Sequence, residues 1–220
     1  MPALRGRTAT LGLLALAFAA LSAAVAGGAL RGADRQGAAT FDAIWRPPLA
    51  PYFGGVAVLG GIEVTTLLAL GLAAYLVWRR LRAQAWAVLA FPVAIVFGAV
   101  YKGVVHHPGP PAALAHSDGP SLSSLLAHTG LLENSFPSGH VTRAVVVYGL
   151  LAFTVWRLSP RPWLRRTALI AGALVVAAVS FDRLYLEVHW ESDVIGGLLL
   201  GGVCLLGAII WVEVPRPGGA

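Results

Sequence analysis

Phe136-Pro137-Ser138-Gly139-His140 stands at the threshold of an apolar run, and the reading of the whole chain turns on it. Proline and a small hydroxyl residue make a turn, and glycine lets the backbone approach a ligand. The histidine then falls in the first turn of the helix that the following residues would form. A helix start offers unpaired N–H groups and partial positive charge, which together suit a phosphate. Ser138 is a good N-cap, and Gly139 removes the Cβ that would hold an anion away. Over five residues an ordinary capped helix would read the same. A second polar group separates the two readings: Arg183, His189 and Asp193, at the mouth of another apolar run.

The setting is a membrane. The chain has 220 residues, of which 57% are hydrophobic and 12% charged, against about 25% charged residues in soluble domains. Six stretches approach the roughly 20 residues that a bilayer needs: 8–29, 54–78, 84–104, 139–157, 166–182 and 190–212. The expected fold is all-α, a single domain over residues 1–220 built as a polytopic bundle of six transmembrane helices. The first stretch reads as an uncleaved helix, although Arg5, Arg7 and Ala24-Val25-Ala26 also fit a secretory signal with its small-residue cleavage site. No polar region is long enough for a separate soluble domain. The only cysteine, Cys204, lies in an apolar run, so neither a disulfide framework nor a thiolate metal site is expected.

Arginines orient the bundle. With the N-terminus inside, the cytoplasmic ends and loops hold Arg5, Arg7, Arg79, Arg80, Arg82, Arg157, Arg161, Arg165, Arg166 and Arg216. The opposite side holds Arg31, Arg35 and Arg46, and the 105–138 loop carries no Lys or Arg. This positive-inside bias places both termini in the cytoplasm and the 105–138 loop outside. It also accounts for the formal charge of +6 without nucleic acid. Lys102, His140, Arg183 and His189 then reach the outer membrane face from four separate segments. Ionisable groups near lipid are costly, so their convergence reads as a functional site rather than a structural network.

These residues suit phosphoryl transfer. His189 and Asp193 stand four apart, which on one helical turn gives them a shared face. The carboxylate can accept the proton of one imidazole nitrogen in a hydrogen bond, fixing the tautomer and leaving the other nitrogen as a nucleophile. His140 can protonate the departing oxygen. Lys102, Arg183 and the N–H groups around Ser138 and Gly139 can hold the equatorial oxygens. No metal and no cofactor is called for, because the sequence offers no carboxylate cluster to hold magnesium. A transporter or channel is the reading from another class; the cytoplasmic halves of the helices lack the polar residues of a continuous pathway.

The motifs resemble those of the type 2 phosphatidic acid phosphatase superfamily, which includes acid phosphatases and vanadium haloperoxidases. Its three blocks are K-x6-R-P, P-S-G-H and S-R-x5-H-x3-D. Pro137-Ser138-Gly139-His140 is the second intact, and Arg183, His189 and Asp193 keep the spacing of the third. The first departs from the pattern, because Gly109 stands where the arginine belongs, before Pro110. Asp182 replaces the serine before Arg183. The resemblance runs from about the second helix onward and implies a six-helix membrane enzyme in which His189 forms a phosphohistidine that water hydrolyses. It assigns phosphate binding to Lys102, Ser138, Gly139 and Arg183, and acid catalysis to His140. The substrate expected is a lipid phosphate or diphosphate in the plasma membrane. Transfer to an acceptor alcohol, or lipid-phosphate binding with little turnover, are the alternatives. Nothing in the pattern specifies an oligomeric state.

Smaller expectations complete the reading. Arg143, one turn after His140, either supplies the cation missing at Gly109, helped by His107, or pairs with Glu63 or Asp193. Glu63, inside the second helix, should face the bundle. His106, His107, His116 and His128 read as solvated loop histidines rather than a zinc site, because their spacing is irregular. Leucines within 120–133 recur at helical intervals and suggest a short interfacial helix.

Overall fold

The computed structural model describes residues 2–111, 115 and 134–214. The expected interfacial helix at 120–133, His116, His128 and Arg216 lie outside the described residues. Among the described residues the secondary structure is helical: α1 (Pro2–Ala26), α2 (Arg31–Ile44), α3 (Ala50–Gly60), α4 (Ile62–Trp78), α5 (Arg82–Ala87), α6 (Ala90–Val104), α7 (Gly139–Leu158), α8 (Pro162–Tyr185) and α9 (Glu191–Glu213). Six spans are long and apolar enough to cross a membrane, starting at Leu4, Pro47, Arg82, Gly139, Pro162 and Glu191. Leu13, Leu67 and Leu174 point off the bundle, as side chains do when lipid is the solvent and the backbone is satisfied within the helix.

The bundle is organised on α7, which packs most extensively against α8 and α9. Around one end of α7, Val141, Ala144, Val179 and Val194 form a buried cluster. A larger cluster lies towards the other end, where Leu72, Leu76, Phe91, Val146, Leu150 and Ala208 meet. α1 is part of this architecture. Phe18 is buried and stacks on Phe136 with ring centroids 6.0 Å apart, and Arg7 is ion-paired with Glu213 at the far end of α9.

Two features differ from the sequence reading. The second span is broken, because α3 ends at Gly60 and Gly61 is extended before α4 begins. The break puts Glu63 in the first turn of α4, exposed, where a carboxylate suits the helix dipole and its charge still acts on the buried Arg143. The second feature is α2, which the membrane-length reading passed over. It is amphipathic, with Asp34 and Gly37 buried and its arginines outward. At Gly37 the helix passes close to Glu191, whose carboxyl carbon lies 2.4 Å from where a Cβ would stand, so a larger residue there would make that flexible side chain swing aside.

Candidate active site

The antiparallel course of the helices brings the end of α6, the start of α7, the end of α8 and the start of α9 to one end of the bundle. Asn134 ties the first two together. Its Nδ2 donates to the Lys102 carbonyl at 2.8 Å, and its Oδ1 accepts the His107 N–H at 2.9 Å. Lys102 Nζ answers by donating to the carbonyls of Asn134 and Ser135, both at 2.8 Å. The lysine is thereby seated directly behind the Pro137-Ser138-Gly139-His140 turn.

Ser138 is the N-cap residue of α7, but its side chain makes no capping bond. Its Oγ is buried and has no hydrogen-bond partner among the described residues. Its N–H instead donates to the Asp193 carbonyl at 2.9 Å, which joins the start of α7 to the start of α9. An orphaned buried hydroxyl at a helix start is costly unless a ligand supplies the partner.

Asp193 is fully buried at the third position of α9. The His189–Asp193 contact does not come from a shared helical face, because His189 precedes the helix. It arises because a carboxylate at this position reaches back over the helix start. Asp193 Oδ2 accepts the Trp190 N–H at 2.9 Å and lies 3.2 Å from His189 Nδ1. Nδ1 therefore carries the proton, and Nε2 keeps its lone pair. Burial pushes the His189 imidazole below the ordinary histidine range, against the opposing hydrogen bond and charge of Asp193, while Lys102 and Arg183 push the same way as burial. The ring is thus neutral at neutral pH, as a nucleophile must be.

The remaining cations surround this pair. Arg183, Arg143, His189 and Lys102 all lie within electrostatic reach of the buried His140. Arg183 is 1% exposed, and its Nε and one terminal nitrogen donate to Asp182 Oδ2 at 2.8 and 2.6 Å. The replacement of serine by Asp182 thus engages the guanidinium fork directly. Arg143 has a partner that the sequence did not indicate. Its Nε and one terminal nitrogen donate to the Gly60 carbonyl at 3.2 and 3.0 Å. That carbonyl is available because the helix break leaves the last turn of α3 without intrahelical donors. The other terminal nitrogen lies 2.9 Å from where a Cβ on Gly139 would stand. Arg143 therefore braces the broken helix and reaches the glycine of the turn at once.

Lys102, Ser138, Gly139, His140, Arg143, Arg183, His189 and Asp193 lie together at this end of the bundle. His106 is exposed, as expected of a loop histidine, but His107 is buried. Its Nε2 is 3.3 Å from Ser192 Oγ, 3.6 Å from Asp193 Oδ1 and 3.8 Å from Asp34 Oδ2. Asp34, Ser192 and Asn134 escaped the sequence reading. Asp34 had a usable signal, a lone acid on the apolar face of an amphipathic stretch; the other two had none.

The family model of the PAP2 superfamily matches residues 83–216. The chain belongs to the PAP2 superfamily. Among curated relatives it is 42% identical over 80 residues to the putative undecaprenyl-diphosphatase YbjG of Escherichia coli, covering 36% of each chain. It is 39% identical over 69 residues to phosphatidylglycerophosphatase B of Bacillus subtilis, covering 30% of this chain and 34% of that one. It is also 34% identical over 119 residues to an undecaprenyl-diphosphatase of Sulfolobus acidocaldarius, covering 52% and 48%. These matches thus span about a third to a half of the relatives' own lengths. In three dimensions it resembles the crystal structure of a transmembrane PAP2-type phosphatidylglycerolphosphate phosphatase from Bacillus subtilis. The TM-score is 0.75 and the identity 25%, over 90% of this chain and 94% of that one. The six-helix membrane architecture expected from the sequence is that of this PAP2 neighbour.

Proposed function

We propose that this integral membrane protein is a metal-independent phosphatase that removes phosphate from a lipid phosphate or diphosphate through a phosphohistidine on His189. The observation that carries the reading is the His189–Asp193 pair at 3.2 Å, set among Lys102, Arg143 and Arg183 beside the orphaned hydroxyl of Ser138.

His189 Nε2 attacks phosphorus as the bond to the lipid oxygen breaks, and His140 gives that oxygen its proton. The phosphorylated ring becomes cationic, and Asp193 Oδ2 stabilises it. Water then attacks phosphorus, its proton passes to His140, and the phosphorus–nitrogen bond breaks to release phosphate and free His189. Arg183, Lys102, the Ser138 hydroxyl and the N–H groups at the start of α7 hold the equatorial oxygens as charge spreads over them. Relatives named for undecaprenyl diphosphate and phosphatidylglycerophosphate support a lipid substrate. For an enzyme of the plasma membrane, the arginine distribution supports cytoplasmic termini and an outward-facing site.

Detergent-solubilised protein assayed with phosphatidic acid, phosphatidylglycerophosphate and a polyprenyl diphosphate, in the presence of EDTA, tests the reading. Free phosphate is expected, with inhibition by vanadate and complete loss in His189→Ala. Loss of activity in EDTA with recovery on adding magnesium overturns the metal-free mechanism. Phosphate found on an added alcohol points to transfer, and near-normal release by His189→Ala eliminates the phosphohistidine.

A further inference from the structure

Asp193 has two oxygens, and the reaction just described uses one. Oδ2 serves His189 and the Trp190 N–H. Oδ1 is buried and accepts no hydrogen bond among the described residues. His107 Nε2 lies 3.6 Å from it. Hydrogen counting fixes the proton on that nitrogen. Asp34 accepts the Ser192 N–H at 3.0 Å and the Ser192 hydroxyl at 2.9 Å, which commits the only hydroxyl proton of Ser192. The 3.3 Å contact between Ser192 Oγ and His107 Nε2 then has one donor left to it, an N–H on the imidazole. That N–H points into a space bounded by Ser192 Oγ, Asp193 Oδ1 and Asp34 Oδ2. His107 is itself held at both ends of its backbone unit. Its N–H donates to Asn134 Oδ1, and its carbonyl accepts both the N–H and the hydroxyl of Ser135. Ring contacts with Phe136 and Trp190 limit its rotation.

We propose that His107 is a positioning residue for the reaction, donating from Nε2 to Asp193 Oδ1 and, through Asp193, fixing the tautomer and aim of His189. Asp34 is the anchor: by gripping Ser192 it sets the acceptor that holds the His107 ring in register. The separation of 3.6 Å is too long for a hydrogen bond, and catalytic contacts in unliganded enzymes commonly tighten only when substrate is bound. A shift of about half an ångström brings it within range. Once made, the bond keeps Asp193 from rotating and lowers its pull on the Nδ1 proton. The positive charge of the phosphorylated ring then stays on the ring, where it makes phosphorus a better target for water. This assignment rests on the proposed phosphohistidine chemistry.

The test is steady-state kinetics on phosphatidic acid and a polyprenyl diphosphate in detergent micelles, with melting temperature as the check on folding. His107→Leu should lower kcat about 10- to 100-fold, the range expected for a buried acceptor left without its donor, with KM within about twofold of the parent. His107→Gln, whose amide can still donate, should recover most of the loss, and His107→Asn, too short to reach, should not. Asp34→Ala should resemble His107→Leu, and the double variant should fall well short of the product of the two losses, as expected when both act through one contact. If the leucine variant does not fold, the glutamine and asparagine pair carries the comparison. Unchanged kcat in His107→Leu, or equal losses in the glutamine and asparagine variants, overturns the assignment while leaving the proposed activity standing. Absence of phosphate release by the parent protein removes the activity and this inference with it.

Discussion

At the scale of single residues, two positions in the third motif block invite substitution. Glu187 has φ of 53°, a left-handed conformation that costs a side-chain residue about 1–2 kcal/mol. It is 2% exposed, and neither carboxylate oxygen has a hydrogen-bond partner among the described residues. Burial, and then the charge of Asp42, push its carboxyl above the ordinary glutamate range. The folded protein therefore binds this proton more tightly than the unfolded chain does. The resulting stability is fully present below the unfolded pKa and is lost as pH rises through the folded one. Glu187→Gly should raise the melting temperature at neutral pH and flatten its fall with rising pH. Glu187→Gln should flatten the pH dependence but keep the backbone strain. Unchanged melting curves for both variants would refute this account. Asp182 acts on the site more directly, since its Oδ2 occupies two donors of Arg183. A charge-assisted hydrogen bond contributes about 1.5–3 kcal/mol, so returning the fork to the substrate in Asp182→Ser should lower KM roughly tenfold. The same change leaves a buried guanidinium without this carboxylate, so the melting temperature should fall. Kinetics and melting on one preparation check both directions, and a raised KM would show that Asp182 organises the site.

At the scale of elements, the site depends on how closely α9 approaches α7. A Cβ at position 197 would lie 2.8 Å from the Ser138 carbonyl oxygen, and one at 201 would lie 2.7 Å from Val145 Cβ and 3.0 Å from the Thr142 carbonyl oxygen. Small residues four apart are the usual means of bringing membrane helices into backbone contact. Gly197→Ala presses on backbone that cannot swing aside, and overpacking of this kind costs about 1–3 kcal/mol. The displacement falls on the bond from the Ser138 N–H to the Asp193 carbonyl, so kcat and melting temperature should drop together. Gly207→Ala, on the same helix with nothing within 4 Å, should leave both unchanged; equal effects at the two positions would sink the argument. The same packing explains what was legible beforehand. Ser138, His140, His189 and Asp193 could be read because each motif is local and its chemistry is carried by adjacent residues. Apolar runs and alternating ends then placed Lys102 and Arg183 beside them. The broken second span hid in a continuous apolar run, so the Gly60 carbonyl could not be offered to Arg143. Asp34 lies 158 positions from Ser192, and no periodicity connects a short amphipathic helix to a helix start that far along the chain.

At the scale of the molecule, the charges are sorted between the two ends of the bundle. Arg79, Arg80 and Arg82 lie at the turn between α4 and α5, and Arg157, Arg161, Arg165 and Arg166 around the turn between α7 and α8. Both turns are at the end opposite the site, where Arg7 also pairs with Glu213. At the site end the exposed arginines are fewer, Arg31, Arg35 and Arg46, while Lys102, Arg143 and Arg183 are turned inward onto carbonyls or a carboxylate. Since positive loops are retained in the cytoplasm, the site should open to the outside. Single-cysteine variants can read this directly once Cys204 is replaced by alanine. His106 is exposed beside the site and Arg161 is exposed at the opposite turn. A membrane-impermeant maleimide should label His106→Cys on intact cells and Arg161→Cys only after permeabilisation. The reverse pattern would place the site at the cytoplasmic face and overturn this orientation.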